Sequence, residues 1–135
     1  RLDPIQAAVL RVKLGVLDKW NEKRFAVAAA YTVGFAECDL ILPHVPDWAE
    51  PAWHLYVVRM SDRERLQGRM TEAGIGTLIH YPIPPHMQRA YADMEILPDT
   101  FPLARDLARE VLSLPMGPQL GLDQVQDVVH ALKNA

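Results

Sequence analysis

Apolar residues recur at helical spacing along the first third of the chain and predict a long N-terminal helix. Asp3 suits the N-cap and Pro4 the first helical residue. The apolar positions that follow are Ile5, Ala8, Val9, Val12, Val16 and Trp20, then Phe25, Ala28 and Tyr31 to about Phe35. One helix and two helices divided near Gly15 both stay open, since an interior glycine costs about 1 kcal/mol relative to alanine. Roughly thirty helical residues reach about 45 Å, so we expect part of this region to lie against something outside the chain.

The rest of the chain alternates between short strands and helices. β-branched and aromatic residues between turn signals predict strands at 53–60, 75–81 and 112–116. Helical patterns run from Ser61 or Asp62 to about Ala73, from Thr100 to Val111, and from Gly121 to about Lys133. Gly74 stands where a helix C-terminal glycine belongs, and prolines mark loops at 38–51 and 82–85. The predicted fold class is α+β, a small three-stranded, mainly antiparallel sheet packed with helices and led by the long N-terminal helix.

Composition narrows the class of protein and its partners. The 135 residues suit one domain, and 50% hydrophobic with 23% charged residues is typical of a globular protein. A net charge of -3 argues against nucleic acid, which needs a basic face, and no apolar run is long enough for a membrane span. The single cysteine, Cys38, excludes an intrachain disulfide, so we expect a cytoplasmic protein. The chain opens on Arg1 without a methionine or signal peptide, and we expect it to be a piece of a longer protein.

Candidate chemistry is concentrated in one loop, residues 76–88. This loop holds His80, Tyr81 and His86 among three prolines, which stiffen it and lower the entropy cost of ordering it around a ligand. Both histidines can donate to phosphate oxygens, and Tyr81 can stack on a ring or hydrogen-bond to it. A structural interpretation stays open beside this one, in which His80 and Tyr81 end a strand and satisfy backbone groups.

Metal and nucleophile signals are weak. Five residues separate His80 from His86 and three of them are prolines, so the helical spacing of two zinc-binding histidines is not formed. Ser61 and Ser113 lack a Gly-x-Ser-x-Gly setting, and Cys38 is a lone cysteine in a predicted loop. We therefore predict no metal site and no serine or cysteine nucleophile.

Four segments stand out by their residue sequences and by their order along the chain. They are Arg1 to Leu10 with Lys13-Leu14, Trp53 to Arg59, Gly74 to Gln88, and Leu112 to Met116. Together they resemble the C-terminal region of DegT/StrS-type sugar aminotransferases. Family members that aminate 3-keto nucleotide sugars are the most similar to two stretches of this chain, Trp-His-Leu-Tyr and Thr-Leu-Ile-His-Tyr-Pro-Ile-Pro-Pro-His.

The resemblance implies that residues 1–135 are the small domain of a fold-type I aminotransferase whose large, pyridoxal-phosphate-binding domain is absent from this chain. Such enzymes are homodimers in which glutamate commonly donates the amino group, through pyridoxamine phosphate, to a ketone on a nucleotide sugar. It also implies that Arg1 approaches the cofactor phosphate or substrate of the neighbouring subunit, which suits a guanidinium fork. His80, Tyr81 and His86 would border the sugar nucleotide.

The family's Schiff-base lysine and its aspartate partner fall upstream of Arg1. The lysines of this chain are Lys13, Lys19, Lys23 and Lys133. Their positions look exposed, whereas a catalytic lysine needs a desolvated pocket. We therefore expect the chain alone to bind pyridoxal phosphate weakly or not at all and to transfer nothing. Two alternatives stay open: a pyridoxal-phosphate-dependent sugar dehydratase on the same scaffold, and a non-catalytic binding or dimerisation module.

Overall fold

The computed structural model describes residues 2–134 and has an α+β architecture. Its helices are α1 (Pro4–Leu14), α2 (Leu17–Gly34), α3 (Arg63–Glu72), α4 (Pro102–Glu110) and α5 (Leu122–Lys133), and its strands are β1 (Tyr56–Arg59) and β2 (Val111–Leu114). Short 3-10 turns at Pro85–Met87, Arg89–Met94 and Pro98–Thr100 occupy the segment between α3 and α4. Arg1, the residue with an implied cofactor contact, lies outside the described part of the chain.

The N-terminal helical region is divided at Gly15, which confirms the two-helix alternative. Asp3 begins α1, and its carboxylate accepts the backbone N–H groups of Ile5 and Gln6 at 2.9 and 3.2 Å. No residue of α1 is buried, and the side chains of Ile5 and Val12 are both 77% exposed. No helix within residues 2–134 has the length and apolar character to span a membrane. α1 therefore carries an apolar surface that the described residues leave uncovered.

The sheet contains two paired strands, so the expectation of three was wrong. β1 and β2 run antiparallel, with Tyr56 opposite Leu114. The predicted third strand, residues 75–81, forms a single antiparallel bridge in which Leu78 pairs with Ser113. A second single bridge joins Ile41, within the predicted 38–51 loop, to the other edge of β1.

The chemistry at the two ends of β2 explains why the third strand stops after one bridge. In an antiparallel ladder, the next hydrogen-bonded partners on β2 lie two residues to either side of Ser113. One of them is Pro115, which has no N–H to donate. The other is Val111, whose N–H already bonds to the carbonyl of Leu107 at the end of α4. Leu78 therefore has a partner while its neighbours turn away.

Buried side chains from α2, α3, α5 and both strands form one core. The largest of them are Tyr31, Tyr56, Phe35, Met70 and Leu112. The Tyr31 hydroxyl donates to the carbonyl oxygen of Pro115 at 2.9 Å, directly after β2. This hydrogen bond therefore ties the C-terminal end of β2, the strand that contains Ser113, to the core.

We expect alanine substitutions at two helical glycines to have opposite effects. A Cβ at Gly34 would lie 2.7 Å from Cγ2 of Val129 on α5, and valine is stiff at χ1 in a helix. Gly34→Ala should lower the free energy of unfolding by about 1–3 kcal/mol through overpacking. Gly68, exposed in α3, has no heavy atom within 4 Å of the same position. Gly68→Ala should raise it by up to about 1 kcal/mol. Urea unfolding measures both, and equal signs would contradict tight α2–α5 packing.

Candidate functional site

The candidate site is formed where the chain leaves the Leu78–Ser113 bridge and turns back against α4. Pro84 is buried, and the 3-10 turn Pro85–Met87 follows it directly. The Gln88 side-chain amide donates to the carbonyl oxygen of Ile83 at 3.4 Å across this turn. Prolines therefore set the path of the loop, and one side-chain hydrogen bond closes it.

This loop and α4 enclose a cleft of about 290 Å³. The loop contributes His80, Tyr81, Ile83, Pro84, Pro85 and Gln88, and the other wall consists of Ala104, Leu107, Ala108 and Val111. An apolar lining with a few polar groups is typical of small-molecule sites, whose volumes begin near 300 Å³. The cleft is large enough for one ring-sized portion of a ligand.

His80 and Tyr81 lie together in this cleft. Nδ1 of the half-buried His80 is 2.9 Å from Oγ of Ser113. The ring of Tyr81 stands edge-on to the imidazole with 5.5 Å between centroids, and the tyrosine is 73% exposed. The hydrogen bond of His80 goes to a side chain, so the alternative in which it satisfies a backbone group does not describe its contact.

His86 lies apart from this pair and does not line the cleft. Its Nε2 donates to the carbonyl oxygen of Pro98 at 3.2 Å, and its ring stands edge-on to Phe101 with 5.2 Å between centroids. His86 therefore connects the proline turn to the segment before α4. The structure brings two of the three described candidates together and separates the third.

Sequence reasoning missed Ser113, which it considered only as a nucleophile. Ser113 is 4% exposed and lies between the buried residues Leu112 and Leu114. A buried hydroxyl needs a hydrogen-bonding partner, so a serine in an otherwise apolar strand is a signal that could have been read. The sequence gives no indication that the partner is His80, because 33 residues separate the two.

A second cavity, of about 460 Å³, lies away from the loop and is lined by Glu37, Cys38, Asp39, Arg65 and Lys133 together with Leu40, Met60, Leu66 and Leu132. None of the predicted site residues lines it. Within residues 2–134, no three His, Cys, Asp or Glu side chains are grouped so that they could hold a metal ion. The His80–Tyr81 cleft is therefore the site that the predicted chemistry indicates.

The fold and this cleft define an α+β domain with a ligand-sized recess beside a histidine–tyrosine pair. Residues 1–133 match the DegT/DnrJ/EryC1/StrS aminotransferase family. The chain belongs to that family, and the resemblance inferred from its four segments is confirmed.

Individual relatives agree along almost the whole chain. It is 48% identical over 134 residues to the erythromycin biosynthesis sensory transduction protein EryC1 of Saccharopolyspora erythraea, covering 98% of this chain and 37% of the relative. It is 42% identical over 132 residues to the dTDP-3-amino-3,6-dideoxy-alpha-D-galactopyranose transaminase of Aneurinibacillus thermoaerophilus, covering 98% and 36%.

A solved structure agrees as closely with the fold. The chain superimposes on Streptomyces venezuelae DesV, crystallised with a ketimine intermediate, with a TM-score of 0.96 and 43% identity. The match covers 99% of this chain and 36% of that one. The chain thus spans little more than a third of the length of the proteins it matches.

Proposed function

We propose that this chain is the C-terminal small domain of a pyridoxal-phosphate-dependent aminotransferase that transfers an amino group to a keto nucleotide sugar. One observation carries the proposal: the chain aligns over 98% of its length with an amino-sugar transaminase while covering 36% of it. The remaining two-thirds of such an enzyme would hold the large domain. The transferred group would come from glutamate, and the acceptor would be a 3-keto deoxysugar.

The surface of α1 supports this division of the protein. Ile5, Val9 and Val12 are 77%, 50% and 77% exposed on a helix that buries none of its residues. Apolar surface of this kind is typical of an interaction site. We propose that the large domain covers it in the complete enzyme, which would be a cytoplasmic homodimer.

Within the cleft we assign His80 and Tyr81 to the nucleotide sugar. The imidazole can hydrogen-bond to a ligand oxygen, and the exposed Tyr81 offers both a ring face and a hydroxyl. His86, fixed against Pro98 and Phe101, would border the substrate from outside the cleft. Arg1 would reach the cofactor phosphate or substrate of the neighbouring subunit, a role that its guanidinium suits.

The residues of this chain do not by themselves fit pyridoxal phosphate. Lys13, Lys19, Lys23 and Lys133 are all exposed, and none of them lines the His80–Tyr81 cleft. When bound, the cofactor would carry the amino group between two carbonyl compounds and would supply the electron sink that this transfer needs. Because a cofactor-binding lysine needs a desolvated pocket, we assign that lysine to the rest of the protein and expect the chain alone to be inactive.

The test compares this chain with the longer polypeptide that contains it. Each is given pyridoxal phosphate, 2-oxoglutarate and a panel of dTDP- and UDP-linked 3-amino sugars, so that the reverse transfer releases glutamate. We expect the longer polypeptide to form glutamate and the 135-residue chain to form none. A spectroscopic titration with pyridoxal phosphate should show a saturable, lysine-dependent band only for the longer polypeptide.

Each contrary result identifies a different error. A lysine-dependent band with the chain alone would contradict the assignment of the cofactor site to the other domain. A parallel reaction supplies a keto nucleotide sugar in place of the amino sugars, and loss of water from it, with no glutamate formed in the main assay, would indicate the dehydratase alternative. Binding of sugar nucleotides without any turnover by the longer polypeptide would indicate a non-catalytic module.

A further inference from the structure

Ser113 is a buried polar residue whose only side-chain hydrogen bond within residues 2–134 is to His80. Its backbone N–H and carbonyl both pair with Leu78, at 2.7 and 3.1 Å, so neither the strand nor a turn needs the hydroxyl. Oγ lies 2.9 Å from Nδ1 of His80, and the serine is 4% exposed. The hydroxyl therefore serves the imidazole and not the sheet.

The sheet geometry explains how the two side chains meet. Leu78 lies opposite Ser113, and His80 follows Leu78 by two residues at a bend in the chain, so His80 is a diagonal neighbour of Ser113. Diagonal neighbours across an antiparallel pair are within reach of long side chains. The single bridge at Leu78 thus sets the distance over which His80 reaches back to Ser113.

Hydrogen-bond accounting gives the direction of this contact. A neutral imidazole carries one N–H, and the other nitrogen accepts. If Nδ1 carried the proton, Ser113 would accept and its own O–H would lie buried without an acceptor, a state that is costly. If Ser113 donates to Nδ1, both groups are satisfied and the proton of His80 lies on Nε2. Within residues 2–134, no group bonds to Nε2.

We propose that Ser113 is a positioning residue that fixes the His80 tautomer, so that Nε2–H is presented as a hydrogen-bond donor to the ligand bound in the cleft. This proposal rests on the proposed function for the identity of the ligand, an oxygen-rich nucleotide sugar. An oxygen of the sugar or its phosphates can accept from Nε2–H. Ser113 itself touches no ligand and acts through the ring that it holds.

The first test uses nuclear magnetic resonance and needs no substrate. Long-range proton–nitrogen spectra of the ¹⁵N-histidine-labelled chain distinguish protonated from unprotonated ring nitrogens, and His80→Gln identifies the His80 signals among five histidines. We expect the neutral ring to carry its proton on Nε2. Ser113→Ala should shift the ring toward a tautomer mixture, Ser113→Thr should keep the original state, and Ser61→Ala, at an exposed serine, should change nothing.

Three results would overturn the proposal: a proton on Nδ1 in the unsubstituted chain, an unchanged tautomer in Ser113→Ala, or failure of Ser113→Thr to retain the tautomer while the backbone spectrum stays folded. If Ser113→Ala fails to fold, the spectrum of the unsubstituted chain still decides where the proton lies.

The second test is kinetic and uses the longer polypeptide in the glutamate-forming assay. Ser113→Ala should raise KM for the amino-sugar nucleotide by about three- to tenfold, the range for one hydrogen bond, and leave KM for 2-oxoglutarate unchanged. Ser113→Thr should restore it, and equal changes in both KM values would overturn the positioning role. An enzyme that turns over no sugar nucleotide at all would overturn the proposed function, and the tautomer measurement alone would then decide the role of Ser113.

Discussion

Replacing Tyr31 with alanine should lower the free energy of unfolding by about 3–5 kcal/mol, the range for removing a large aromatic side chain from a core. Tyr31 is fully buried, its ring stacks on Phe35 with 5.5 Å between centroids, and it tilts against Tyr56 at 5.1 Å. Typical domains are stable by only about 5–15 kcal/mol, so this loss is a large share of the total. Guanidinium unfolding followed by circular dichroism measures it.

Tyr31→Phe is the matched control because it keeps the ring and removes only the hydroxyl. It leaves the Pro115 carbonyl without the donor at 2.9 Å, which should cost about 1–3 kcal/mol. Phenylalanine should therefore lie between the unsubstituted protein and alanine. If Tyr31→Ala cost no more than Tyr31→Phe, the ring would contribute nothing, and the packing around Phe35 and Tyr56 would have to be looser than the structure shows.

The same hydroxyl connects the core to the candidate site. Tyr31 bonds to Pro115, the residue after β2, and Ser113 in β2 bonds to His80. Pro115 also ends the ladder toward residues 75–81, because it has no N–H to donate. On the other side of Leu78, the N–H of Val111 already bonds to the carbonyl of Leu107, so the chain there leaves the sheet and forms the cleft. Core packing and the position of His80 in the cleft therefore both depend on the same four-residue strand.

Local signals in the sequence were sufficient to locate the helical regions, although they left open whether the first is divided near Gly15. Asp3 caps α1, and Gly74 adopts a positive φ of 74° after α3, where only glycine is unstrained. The third strand could not be predicted in the same way. Residues 75–81 have the composition of a strand, but the number of bonds they form depends on Pro115 and on the N–H of Val111, both distant in sequence. Tertiary hydrogen bonding therefore overrode local propensity there.

The candidate site was predictable only in part for a similar reason. Prolines marked residues 82–85 as a rigid loop, and His80 and Tyr81 do line a cleft beside it. His86 belongs to the same loop, but the turn beginning at Pro85 places it against Phe101 instead. Ser113 has no local signature beyond being polar in an apolar strand. Proximity in sequence therefore indicated the loop but not which side chains share one surface.

We expect the free energy of unfolding to fall at alkaline pH because two tyrosines of this protein are buried. Burial raises the pKa of Tyr31 above its ordinary value of 10.0, with a further contribution from the neighbouring Tyr56. Burial also raises the pKa of Tyr56, partly offset by its hydrogen bond with Thr32. Above pH 10 the unfolded chain releases these protons while the folded chain keeps them. The two tyrosines therefore make their full contribution to the free energy of unfolding below about pH 10. Above that pH the free energy of unfolding falls by about 1.4 kcal/mol per pH unit for each tyrosine, until the pKa of that tyrosine in the folded chain is reached.

The effect of Tyr31→Phe on the free energy of unfolding should consequently change sign as the pH rises. At pH 8 it is the less stable protein, because it lacks the bond to Pro115. Above pH 10 it has one buried tyrosine fewer to keep protonated, so the two stability curves should cross about one to two pH units above 10. Contributions from the rest of the chain are common to both proteins and cancel in the difference. Urea unfolding between pH 8 and 12 measures the pH at which the two curves cross. Tyr56→Phe should likewise make the fall in the free energy of unfolding above pH 10 less steep. Parallel curves for the unsubstituted protein and Tyr31→Phe would mean that Tyr31 ionises as readily in the folded chain as in the unfolded one. That result would contradict its burial in the core beneath β2.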